Sequence, residues 1–110
     1  MNKFTTGSDN IFADLGLSEP AERAYKSDLA IAIARDIESR GWKQQEAAEV
    51  LGISQPKLSK LLSGKLDGIS ASKLFECLLR LGKDIEISIH PAQESRPGRV
   101  QVLTEAPEHA

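Results

Sequence analysis

The segment from Gln44 to Ser63 constrains this chain more than any other part: two short amphipathic stretches are joined there by Gly52-Ile53-Ser54. Ala47, Val50 and Leu51 give the first stretch an apolar face, and their spacing predicts a helix over 44–51. Ser54 is suited to cap a following helix, Pro56 is tolerated in its first turn, and Leu58, Leu61 and Leu62 line its inner side until Gly64 ends it. Only a sharp turn fits between these helices. Such a turn needs a residue able to take positive φ, which Gly52 supplies, and a small residue where the helices touch, which Ala48 supplies four positions earlier. Ile53 is then expected to be buried beside the turn. Two helices crossing at about 90–120° present the second as a ridge that can enter a DNA major groove.

The chemistry of that ridge agrees with its shape. Gln55, Lys57, Ser59, Lys60 and Ser63 occupy its outer side, all able to form hydrogen bonds and none a carboxylate, whereas a merely solvated face usually mixes both charges. The formal net charge of −2 speaks against nucleic acid only when it is summed over the chain. Residues 54–65 carry Lys57, Lys60 and Lys65 with no acid, while 1–22 carry Asp9, Asp14, Glu19 and Glu22 against Lys3. Basic charge is concentrated where contact with DNA is expected.

Around this pair the chain reads as mainly α. A first helix is expected from a Ser18 cap, through Pro20 and a four-residue recurrence of Leu29, Ile33 and Ile37, to a stop at Gly41. Another follows a Ser70 cap, buries Leu74, Phe75, Leu78 and Leu79, and ends at Gly82. The period then changes to two. Ile85, Ile87 and Ile89 alternate with Glu86, Ser88 and His90 before Pro91, which predicts one β-strand. A lone strand leaves both edges unpaired, so it needs the N-terminal segment or, preferably, a second copy of the chain. The expected organisation is an arm over 1–17 with an apolar piece at Ile11, Phe12, Leu15 and Leu17, a helical domain over 18–82, a dimerisation strand over 83–91 and a flexible tail over 92–110. In that tail Val100, Val102 and Leu103 are the residues that could dock.

A chain of 110 residues supports one small core, and dimerisation would add to its modest stability. Cys77 has no cysteine to pair with and reads as a buried structural thiol; with His90 and His109 it offers no metal-ligand spacing. No nucleophile-and-base pair or phosphate loop points to an enzyme, and no cofactor is implied. Without an apolar span or a secretory h-region at MNKFTTGSDN, a cytoplasmic, bacterial protein is expected and a membrane partner is not.

QQEAAEVLGISQPKLSKLLSGKLDGIS resembles the helix-turn-helix of the lambda-repressor and Cro-like (XRE) family, and DNIFADLGL, KSDLA and LLRLGKDIEISIHP resemble its HigA-type antitoxin branch. The resemblance implies a lambda-repressor-like domain of four to five helices with a C-terminal strand that pairs across a dimer. It implies a repressor on a palindromic operator that also binds a RelE-like toxin; a stand-alone or phage-type repressor and a protein-interaction module are the alternatives. Position by position it makes Ser54, Gln55, Pro56, Ser59 and Lys60 the base-contacting set, with Gln55 suited to adenine and Lys60 to guanine or phosphate. Lys43, Gln44, Lys57, Ser63 and Lys65 form the phosphate-contacting set, with Gln44 fixing the backbone at the start of its helix. Ile85, Ile87 and Ile89 form the dimerisation set. Two positions depart from the family pattern. Lys43 replaces a Ser or Thr cap with a group that cannot accept N–H bonds, which leaves water to substitute, and Trp42 replaces a core Leu.

Overall fold

The computed structural model describes residues 19–93 and 95–104 and contains four α-helices among them. These are α1 (Glu19–Arg40), α2 (Gln44–Leu51), α3 (Gln55–Leu62) and α4 (Ala71–Arg80). Local chemistry accounts for most of their ends. Ser54 Oγ accepts the Lys57 N–H at 3.2 Å to start α3, and Ser70 Oγ accepts the Lys73 N–H at 3.0 Å to start α4. The expected Ser18 cap, like the apolar piece of the arm, lies outside the described residues.

α1 packs chiefly on α4 and α2 on α3, and the contacts of α1 with α3 and of α2 with α4 close the bundle. The core contains Leu29, Ile33 and Ile37 of α1, Ala47, Ala48 and Leu51 of α2, Leu58 and Leu61 of α3, and Leu74, Cys77 and Leu78 of α4. Burying each leucine stabilises the fold by about 1.5–3 kcal/mol before chain entropy is counted. Leu66 and Ile69 bury the connection between α3 and α4.

Several faces differ from expectation. Leu79, expected inside, is 57% exposed, because the apolar stripe of α4 runs through 71, 74, 77 and 78 at helical spacing, which encloses Cys77 as expected. Val50 is only half-buried. Tyr25 and Asp36 of α1 are buried, although neither belongs to the recurrence that defines that helix. Trp42 is partly buried against the core, with the Arg40 guanidinium 4.8 Å from its ring centroid.

Asp36 ties the end of the bundle together. Its carboxylate accepts from Arg40 Nε at 2.6 Å and pairs with Lys83 Nζ at 3.0 Å, while Arg40 Nη2 donates to the Leu81 carbonyl at 2.5 Å. A buried carboxylate is tolerated when two cations hold it. Beyond this clamp no strand forms among the described residues. Ile85 packs partly on the core, whereas Ile87 and Ile89 are exposed. Further on, Val102 also rests against the core, Val100 lies near the surface and Leu103 is exposed.

Candidate nucleic-acid interface

The turn between α2 and α3 is fixed by its backbone. Gly52 has φ of 71° and ψ of 32°, and its N–H and that of Ile53 both donate to the Ala48 carbonyl, at 2.9 and 3.1 Å. An L-residue in this conformation is strained by about 1–2 kcal/mol, which accounts for a glycine here. The space is also occupied: a Cβ on Gly52 would lie 3.1 Å from Arg80 Cζ, so the α4 guanidinium lies over the turn. Ala48 is buried at the α2–α3 crossing, Ile53 packs partly on the core, and Leu58 and Leu61 anchor α3 from below.

With its leucines turned inward, α3 exposes Gln55, Pro56, Ser59 and Lys60, and Lys57 is half-buried. Ser54, Pro56, Lys57 and Lys60 line one open concavity of about 300 Å³ together with Asp67, Gly68 and Ile69. This brings three of the five residues expected to contact bases together with one expected to contact phosphate. Gln55 and Ser59 are exposed outside that concavity.

Hydrogen bonding refines several roles. Ser54 Oγ accepts the helix-capping bond, which leaves its hydroxyl proton available for a DNA acceptor. Ser63 Oγ donates to the Ser59 carbonyl at 2.9 Å, so its proton is engaged inside the helix. A phosphate contact from Ser63 requires that bond to be given up. Lys65, exposed just past α3, has no such competition for its ammonium.

At the start of α2, Gln44 is exposed at the first helical position, where backbone N–H groups have no acceptor within the helix. Lys43 provides no side-chain cap, as its chemistry requires, but water is not the only substitute. Its N–H donates to Glu46 Oε1 at 3.1 Å, which forms one half of a capping box. The box spacing is present in the sequence as Lys43-x-x-Glu46 and is hidden because its other half is missing. The Glu46 carboxylate would repel a phosphate brought to this helix end, and the exposed Lys43 ammonium opposes that repulsion.

Sequence reasoning missed the part of the concavity lined by Asp67, Gly68 and Ile69. The turn after α3 closes with the Ile69 N–H on the Leu66 carbonyl at 3.0 Å, and Gly68 at φ of 80° permits it. Lys26 Nζ of α1 approaches the same carbonyl at 3.4 Å. The available signal was Asp67-Gly68, a turn dipeptide, read only as part of a longer motif.

The Cys77 thiol is buried, and desolvation raises its pKa, with the Glu76 carboxylate adding to the rise and smaller opposing effects from Lys73, Arg80 and Lys57. This is an inert core thiol. The described residues contain no group of His, Cys, Asp and Glu side chains able to hold a metal, and no helix among them is long and apolar enough to cross a membrane.

Comparison with known proteins agrees with this geometry. A family model described as a helix-turn-helix domain matches residues 11–90. A solved structure described as an XRE family transcriptional regulator is 37% identical, with 80% of this chain and 100% of the other covered and a TM-score of 0.75. No curated protein sequence matches. The chain belongs to the XRE family of helix-turn-helix proteins, a family of DNA-binding transcriptional regulators.

Proposed function

We propose that the chain is a sequence-specific repressor that binds a palindromic operator as a homodimer, with α3 in the major groove. The observation that carries this reading is the outer face of α3: Gln55, Pro56, Ser59 and Lys60 are exposed together, without a carboxylate, on a helix whose angle is fixed by the Gly52 turn. Base edges are read by such groups, and Lys43, Gln44, Lys57 and Lys65 stand around them as phosphate partners. Footprinting on the chain's own promoter, followed by titration against random duplex, tests it. Protection of a two-fold symmetric site and affinity that falls steeply with salt are expected; equal binding to both duplexes would leave no repressor.

Two copies are needed because one recognition helix touches few base pairs, and a dimer places two of them about 34–36 Å apart on one side of the duplex. The segment 84–90 supports this reading. It follows the Asp36 clamp directly and exposes Ile87 and Ile89. Antiparallel pairing about a two-fold axis at Ile87 would set Ile85 of one copy against Ile89 of the other.

The antitoxin role is a separate layer of the proposal and rests on the resemblance of DNIFADLGL, KSDLA and LLRLGKDIEISIHP to the HigA-type branch. In this reading the chain neutralises a RelE-like toxin encoded beside it and represses their shared promoter. Co-expression with the neighbouring gene product is the test. Growth arrest relieved by this chain is expected, and arrest that persists removes the antitoxin role while leaving operator binding intact.

A further inference from the structure

The concavity beside α3 contains a charge that the rest of the DNA-facing surface avoids. From Gly52 to Leu66 the chain has three lysines and no acid, and the next residue is Asp67. Asp67 lines the same 300 Å³ space as Lys57 and Lys60. It forms no ion pair with either lysine or with any other described residue. Asp67 is therefore not locked in a contact ion pair with the lysines of the same concavity.

The turn that presents it is held on every side. Leu66 and Ile69 flank it as buried residues, the Ile69 N–H closes it onto the Leu66 carbonyl, Lys26 of α1 approaches that carbonyl, and Gly68 takes the left-handed conformation the turn needs. The backbone that carries this exposed side chain is thereby set in place in advance of any ligand. Two kinds of DNA group could approach it. A phosphate would meet a like charge, which is unfavourable, whereas an exocyclic base amine would meet an acceptor.

We propose that Asp67 is a specificity-determining residue of the DNA interface, accepting a hydrogen bond from the amino group of a cytosine or adenine at the edge of the sequence read by α3 while Lys57 holds the neighbouring backbone. This rests on the operator-binding reading above. In any register that brings phosphate to the same place, the carboxylate repels it, so Asp67 favours the operator and disfavours other DNA at once. The negative charge thereby contributes to discrimination and not to raw affinity.

The experiment measures full-length wild type, Asp67→Ala and Asp67→Asn on the footprinted operator, on a set of operators with single base-pair replacements, and on random duplex. Wild type should lose affinity by about tenfold when one particular amino-bearing base at the edge of the site is replaced. Whether that base pair is C·G or A·T identifies the amine. Asp67→Ala should be indifferent to that replacement, should remain sensitive at the central pairs, and should bind random duplex more tightly than wild type. Asp67→Asn, which keeps an acceptor oxygen, should restore part of the preference.

Three results would overturn the inference alone: equal gains for Asp67→Ala on operator and random duplex, no change on either, or a loss of preference spread over every base pair. Wild type that binds no duplex in a salt-dependent manner would instead remove the operator reading, and this inference with it.

Discussion

Gln55 is the exposed first residue of α3, next to a Ser54 side chain committed to capping, and so is free to form a paired hydrogen bond with a base edge. Gln55→Ala is expected to lower operator affinity by about 1–3 kcal/mol with little effect on random duplex, whereas Lys65→Ala should weaken both similarly and reduce the salt slope. Equal losses on both duplexes from Gln55→Ala would remove its base-reading role. Asp36 matters in a different way, through stability. Replacing it by Ala frees Arg40 and Lys83 from a buried acceptor and should lower unfolding free energy by about 1–3 kcal/mol. Urea titration followed by the fluorescence of Trp42, the single tryptophan, reads this directly because Arg40 lies over that ring. An unchanged midpoint would show the clamp to be without net effect. The sequence alone placed Gln55 on the exposed side of its helix, because a short polar face between leucines is a local pattern. It did not identify Asp36, whose partner Lys83 lies across the fold; a carboxylate in a helix reads as solvated until that packing is known.

The helices α2, α3 and α4 could be bounded from the sequence because their ends are set by neighbours in the chain: Ser54 before α3, Ser70 before α4, and Gly52 after α2. What each helix buries was less legible. Cys77 is buried as expected, but Leu79, two residues on and similarly apolar, falls off the 71, 74, 77 and 78 stripe that packs on α1 and α2 and is 57% exposed. The start of α2 gives the clearest test at this scale. Glu46 already accepts the Lys43 N–H, but nothing on residue 43 returns the bond to the helix. Lys43→Ser would complete the capping box and should raise stability by about 0.5–2 kcal/mol. The same change removes an exposed ammonium beside Gln44, so operator and random duplex should both bind less tightly. A stabilised variant with unchanged DNA affinity would withdraw Lys43 from the phosphate-contacting set, and a variant no more stable than wild type would show that the present cap is already sufficient.

In the whole molecule, the helical bundle and the segment after it obey different physics. The bundle encloses its leucines, and its fold follows from periodicity within one chain. The alternation of Ile85, Ile87 and Ile89 is equally clear in sequence, yet a strand requires a partner that a single chain does not supply, and among the described residues the segment pairs with nothing. Its Ile85 is held at the core and the Asp36–Lys83 pair fixes where it departs, so Ile87 and Ile89, 75% and 92% exposed, extend from a defined point. Two such isoleucines contribute little to the folding of one copy. If they are the seam of a dimer, replacing both by lysine should leave helix content and unfolding of the bundle nearly unchanged, since no core contact is lost. The lysines should also split the dimer, because like charges would face each other across a two-fold axis. Sedimentation at tens of micromolar should give a dimer for wild type and a monomer for the double variant. Operator affinity should fall towards the random-duplex value as the second recognition helix is lost. Wild type that sediments as a monomer, or a double variant that remains a dimer, would place the two-fold contact elsewhere and leave the exposed isoleucines without this role.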